Sequence, residues 1–183
     1  MKPTAELRLM YFDELKELFD SLPAPAIDEI DGEYLSTPLD QGNWFKNIVA
    51  PPATNVCGRW LGKAFAPLSD DKGYGYNWFQ TPKGVRRTLT METHVSQSNI
   101  SPGKSFVVDY CAQRAWLPSM SLYDELRSVS DDALLGFGVV DRPFWLKALI
   151  FPFLLELPRP FVHRVKSANG RSNHPNTVRS CPN

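Results

Sequence analysis

Glu92 and His94 are the pair best suited to acid–base chemistry in this chain. Two apart on an alternating segment, their side chains would leave one face with backbones about 6.5–7 Å apart. A carboxylate at that spacing can orient an imidazole, or both can meet a polar ligand group. The same positions also suit the solvent face of an antiparallel strand. Arg87 stands out differently. Alternation from Val85 to Ser96 places Val85, Leu89, Met91 and Val95 on one face, with Arg87 and Thr93 among them. A guanidinium on an apolar face needs an acid, an anionic ligand or a route to solvent.

Further candidates for the polar end of a ligand are Arg114, Arg127, Tyr110 and Tyr123. Tyr123, Glu125 and Arg127 share one strand face and would form either an inward polar ladder or an exposed cross-strand set. Aromatic residues Trp60, Tyr76 and Trp78, with Tyr74, Phe79 and Trp116, could wall a cavity or simply pack a core. Cys57, Cys111 and Cys181 match neither a zinc pattern nor a disulfide framework. No metal and no cofactor is expected, and no phosphate-binding loop or dinucleotide fingerprint occurs.

The elements that must position these residues follow from periodicity. Ala5 to Leu22 carries apolar residues at three- and four-residue intervals, which predicts one helix over 5–22, stopped by Pro23 and Pro25. Asp28 to Leu39 holds a short strand around Glu33–Leu35, and residues 24–55 otherwise give no clear pattern. From Val56 the period becomes two, through Val56–Leu68, Gly73–Thr81, Val85–Ser96 and Ser105–Gln113. Ser121–Val129 and Leu134–Asp141 flank a Ser-Asp-Asp turn and read as a hairpin, and Phe151–Leu157 closes the series. Consecutive strands with short links pair as antiparallel neighbours. The expected fold is therefore mainly β: an antiparallel lipocalin-like barrel or strongly curved sheet, with the N-terminal helix packed on it.

The chain's 183 residues suit one domain, expected over 1–162, with a disordered basic tail over 163–183. Twenty basic and twenty acidic residues cancel, which argues against nucleic acid as a partner. The N-terminus shows no secretory leader pattern, and a cytoplasmic location is expected. The apolar run from Phe144 to Leu157 is too short for a membrane span, but a weak membrane-surface contact through Phe144–Phe153 is a secondary expectation.

The string Gly58-Arg59-Trp60-Leu61-Gly62 resembles the G-x-W of lipocalins, in which the tryptophan plugs one barrel end. Leu18-Phe19-Asp20-Ser21-Leu22-Pro23, followed by Asp31-Gly32-Glu33-Tyr34, is similar to the opening of an uncharacterised bacterial family named for its GxWxG motif. The hairpin Leu122 to Gly136 resembles that family's closing hairpin. This chain departs from the family pattern at the motif itself, where Gly32-Glu33-Tyr34-Leu35-Ser36 stands and the true GxWxG falls later. The resemblance implies a barrel with a ligand pocket and no particular reaction. The function expected is binding of a small hydrophobic or amphipathic ligand. The alternative is a cofactor-independent isomerase, cyclase or lyase using Glu92 and His94 in the same cavity. Oligomeric state is left open.

Overall fold

A computed structural model describes residues 4–42, 57–110, 121–142 and 149–157. Eight antiparallel strands close into a barrel in simple sequence order: β1 (Gly32–Pro38), β2 (Arg59–Pro67), β3 (Lys72–Thr81), β4 (Gly84–Gln97), β5 (Lys104–Asp109), β6 (Ser121–Ser130), β7 (Ala133–Arg142) and β8 (Leu149–Glu156). The seam is the β1–β8 pairing, with Leu35 opposite Glu156 and Pro38 opposite Phe153. Closure settles the choice between barrel and curved sheet, and each of the described strands has a neighbour on both sides.

Alternation divides the apolar residues between two cores. Tyr34, Phe65, Met91, Phe106, Val108, Leu126, Leu134, Phe153 and Leu155 fill the barrel, and Ile27 and Ile30 close its lower end. Leu135, Phe137 and Leu154 project outward instead. They would be a costly exposed patch without the N-terminal segment. Helix α2 (Phe12–Ser21) covers them with Leu15 and Phe19, and Phe19 meets Phe137 edge-on with ring centroids 4.9 Å apart.

One continuous helix over 5–22 is not formed. Helix α1 (Thr4–Leu7) stops early, and α2 begins afresh at Phe12. Two carboxylates explain the break. Glu14 accepts the Tyr11 amide at 2.8 Å, and Asp40 accepts the Phe12 amide at 3.0 Å. These acceptors satisfy first-turn donors that a continuous helix would have bonded internally.

The two motif glycines act sterically. A Cβ at Gly58 would lie 2.7 Å from the Gln80 carbonyl oxygen, and one at Gly62 only 1.8 Å from that of Tyr34. Backbone cannot yield as a side-chain tip can. Gly62→Ala is expected to cost about 3 kcal/mol, the upper end of overpacking effects. Urea unfolding checks this, and a loss below about 1 kcal/mol would show that the β1–β2 contact relaxes freely.

Candidate functional site

The described interior of the barrel carries a charged polar layer. Lys63 on β2 points inward beside Tyr34 and opposite Asn77 on β3. Asp124 comes from β6, and Tyr110 directly follows β5. Lys63, Asn77, Tyr110 and Asp124 are all buried. The Lys63 ammonium lies 2.7 Å from Asp124 Oδ2 and donates to Asn77 Oδ1 at 3.1 Å; it is also hydrogen-bonded to the Tyr110 hydroxyl. The Tyr110 hydroxyl donates to the same Asp124 oxygen at 2.5 Å. The Trp60 indole N–H completes the layer, donating to Asn77 Oδ1 at 3.0 Å and to the Gly62 carbonyl at 2.9 Å.

Aromatic rings surround the cation. Lys63 Nζ sits 5.2 Å from the Trp60 ring centroid, 5.0 Å from Tyr110 and 5.4 Å from Phe153. Each ring presents its negative face to the charge. Burial pushes the Lys63 ammonium below the ordinary lysine range, against the opposing pull of the Asp124 carboxylate. Burial first, and the Asp124 charge second, hold the Tyr110 phenol well above its ordinary value. The layer as a whole is one cation balanced by one anion. Below it the interior is closed by Phe65, Phe106, Leu126 and Ile27, while half-buried Trp60 and Leu122 lie toward the end where β1 stops and β2 starts.

Of the expected site residues, the structure brings Trp60 and Tyr110 together in this layer. Trp60 packs edge-on against Phe153. Arg87 lies on the outer face. Between Gly75/Met91 and Asn77/Thr88 the ladder shifts: Leu89 and Thr90 both oppose Tyr76, and Leu89 takes a φ of 56°. This bulge breaks the alternation, so Arg87 no longer shares a face with Met91. Its Nε pairs with Glu33 Oε1 at 2.9 Å, and the Tyr76 hydroxyl donates to the same oxygen at 2.9 Å. Tyr76 therefore belongs to this surface cluster, and Trp78, two residues along on the same strand face, also points away from the interior.

Glu92 and His94 stand on the outer face as well. Glu92 is exposed, and His94 Nδ1 is 3.8 Å from the half-exposed Asp109 carboxylate. The enzyme alternative required both to point into the cavity, and it loses its proposed pair.

Tyr123, Glu125 and Arg127 do share a face, but that face is outward, because Asp124 and Leu126 take the inward positions. Glu125 accepts the Ser98 hydroxyl and, at 2.9 Å, the Asn99 amide, fixing the turn between β4 and β5. Arg127 is only 2% exposed yet touches no interior group. It donates to the carbonyls of Phe19 (2.9 Å), Asp20 (3.2 Å), Leu22 (3.3 Å) and Pro102 (2.6 Å), and to Ser105 Oγ (3.2 Å). Neither Tyr123 nor Arg127 can meet a ligand inside the barrel. Arg114 falls outside the described residues, as do residues 144–148 of the apolar run and the 163–183 tail. Phe151 and Phe153 of that run are part of β8, with Phe153 in the interior core.

Sequence reasoning missed Lys63, Asn77 and Asp124. A signal existed at Lys63, a lone cation in the apolar run Trp60-Leu61-Gly62-Lys63-Ala64-Phe65. Among the described residues, no group of three or more His, Cys, Asp or Glu could hold a metal ion.

A protein from Thermomonospora curvata with a solved structure superposes with a TM-score of 0.54, at 18% identity over 82% of this chain and 89% of that one. That likeness shows the fold alone. No family model matches the chain. No curated protein matches it. Among the described residues, no helix is long and apolar enough to cross a membrane.

Proposed function

We propose that the barrel binds a small, largely apolar molecule and holds its uncharged polar end at the Lys63–Asp124–Tyr110–Asn77 layer. The observation that carries this reading is a buried, charge-balanced polar cluster set in the wall of a largely apolar barrel. Burying such a pair is costly, and a packed apolar layer of the same volume would serve stability as well or better. A binding role accounts for its presence: few polar groups fix orientation while apolar walls supply burial.

Charge balance also narrows the ligand. A carboxylate entering beside Lys63 would approach the Asp124 oxygen 2.7 Å from the same ammonium. The repulsion cancels most of the attraction, so neutral alcohols, carbonyls and amides fit better than fatty-acid anions. Kinship with the GxWxG-motif family belongs to the same proposal, supported by the close packing at Gly58 and Gly62.

Thermal unfolding with decan-1-ol and with decanoate tests the reading. The alcohol is expected to raise the midpoint in a concentration-dependent way, and decanoate to raise it less. No response to either compound would remove the binding reading, and a larger response to decanoate would remove the argument from charge.

A further inference from the structure

Lys63 has a chemistry that a merely orienting residue would not need. Amines that attack carbonyl groups must be deprotonated, and enzymes free them by burial away from water. The Lys63 side chain is 3% exposed, its partner Asp124 is 5% exposed, and the two touch at 2.7 Å. A proton passing from Nζ to Asp124 Oδ2 along that contact gives two neutral groups, a form that a low-dielectric interior makes accessible beside the ion pair. The Tyr110 hydroxyl touches both atoms and can relay a proton between them.

We propose that Lys63 forms a covalent imine with an apolar aldehyde or ketone held in the barrel. This rests on the binding reading above and names the carbonyl class within it. The free amine attacks the carbonyl carbon, forming a C–N bond as the carbonyl π pair moves to oxygen. A proton moves from nitrogen to that oxygen through Tyr110, giving a neutral carbinolamine. Asp124 then protonates the hydroxyl, the C–O bond breaks, and water leaves. The nitrogen lone pair closes the C=N bond. The product is a protonated imine beside the regenerated Asp124 carboxylate, which serves as its counter-ion. No oxidant or reductant enters.

The stacked surroundings suit this product. Trp60, Tyr110 and Phe153 ring the nitrogen at 5.0–5.4 Å, so a cationic imine keeps the same aromatic faces that the ammonium has. The other lysines that the structure describes lie on the surface or at its edges: Lys16, Lys72, Lys83 and Lys104. They provide an internal comparison within the same chain.

The test is to incubate the protein with decanal and sodium cyanoborohydride at neutral pH, then digest it and map the alkylated lysines by mass. Lys63 is expected to be labelled faster than the surface lysines by about tenfold or more, as burial-activated amines are. Asp124→Asn should slow this labelling while leaving the surface lysines unchanged. A variant without the amine, Lys63→Met combined with Asp124→Asn, should lose labelling at position 63 while the surface lysines are labelled as in the parent. Labelling spread evenly over the surface lysines, with Lys63 no faster, would overturn the covalent step. If decan-1-ol still binds in that case, the failure is of the imine alone. If decan-1-ol also fails, the binding reading falls with it.

Discussion

Lys63→Met is expected to lower the unfolding free energy by about 3–5 kcal/mol, the loss seen when one partner of a buried ion pair is removed. Asp124 would be left 3% exposed with the Tyr110 hydroxyl as its remaining described donor, and Asn77 would lose the ammonium. Protonating the carboxylate avoids the isolated charge, at the cost of the work needed to shift its ionisation. A second change should undo most of the damage. Asp124→Asn has nearly the same shape, still accepts from Tyr110 and carries no charge. In the Lys63→Met background it is expected to bring stability back to within about 1–2 kcal/mol of the parent. Urea denaturation of the two single variants and the double variant checks this. A Lys63→Met protein within about 1 kcal/mol of the parent would mean that water reaches the pair and that the site is not isolated. The cycle bears on function because a dry ion pair is what the proposed ligand chemistry requires.

The second large effect lies outside the barrel. Arg127→Met is expected to cost about 3–4 kcal/mol, since hydrogen bonds from a charged donor are worth about 1.5–3 kcal/mol each and are not additive. Helix α2 ends at Ser21, where the Leu22 amide donates to the Phe19 carbonyl at 3.1 Å and the last-turn carbonyls lack the usual helical partner four residues on. Arg127 supplies partners for Phe19, Asp20 and Leu22 at once, and its guanidinium lies 4.7 Å from the Phe19 ring centroid. A cation there also meets the negative end of the helix dipole. Arg127→Lys keeps the charge but not the planar fork, and is expected to regain less than roughly half of the loss. Amide hydrogen exchange separates local from global damage. Residues 15–21 should lose protection before the interior strands do. Equal loss throughout would show that α2 and the barrel unfold as one unit.

Much of the architecture was legible from alternation. The period-two run Ser105–Gln113 is present as β5 with Tyr110 just after it, and its Phe106, Val108 and Tyr110 lie inside. The hairpin over Ser121–Asp141 is present as β6 and β7, joined at Asp131 and Asp132. Even β1 was visible as a short strand around Tyr34. What failed did so for definite reasons. Period-two reasoning assumes an unbroken pleat, and the Leu89–Thr90 bulge moves Arg87 outside. Helical periodicity over 5–22 could not show that Asp40, distant in sequence, would accept the Phe12 amide and restart the helix. The candidate site was harder still. Lys63 and Asp124 sit on β2 and β6, strands that are not neighbours, and they meet only because closure brings their inward faces together. No local spacing encodes that meeting. The clearest trace was a lysine within an apolar stretch, a position that buried charge occupies only with a partner.

The β1–β8 seam has a consequence for how the molecule is made. Because the first strand pairs with the last, Leu35 waits for Glu156 and Thr37 for Leu154. During synthesis β2 to β7 can pair with neighbours as they emerge, but β1 has only one wall to lean on until β8 has left the ribosome. Closing so long a loop is entropically slow and raises the contact order, which places folding toward the slow end for a domain of this size. In that interval the free side of β1, including exposed Leu35, is available to any other strand. The nascent chain therefore passes through an open, edge-bearing stage that the finished barrel does not have.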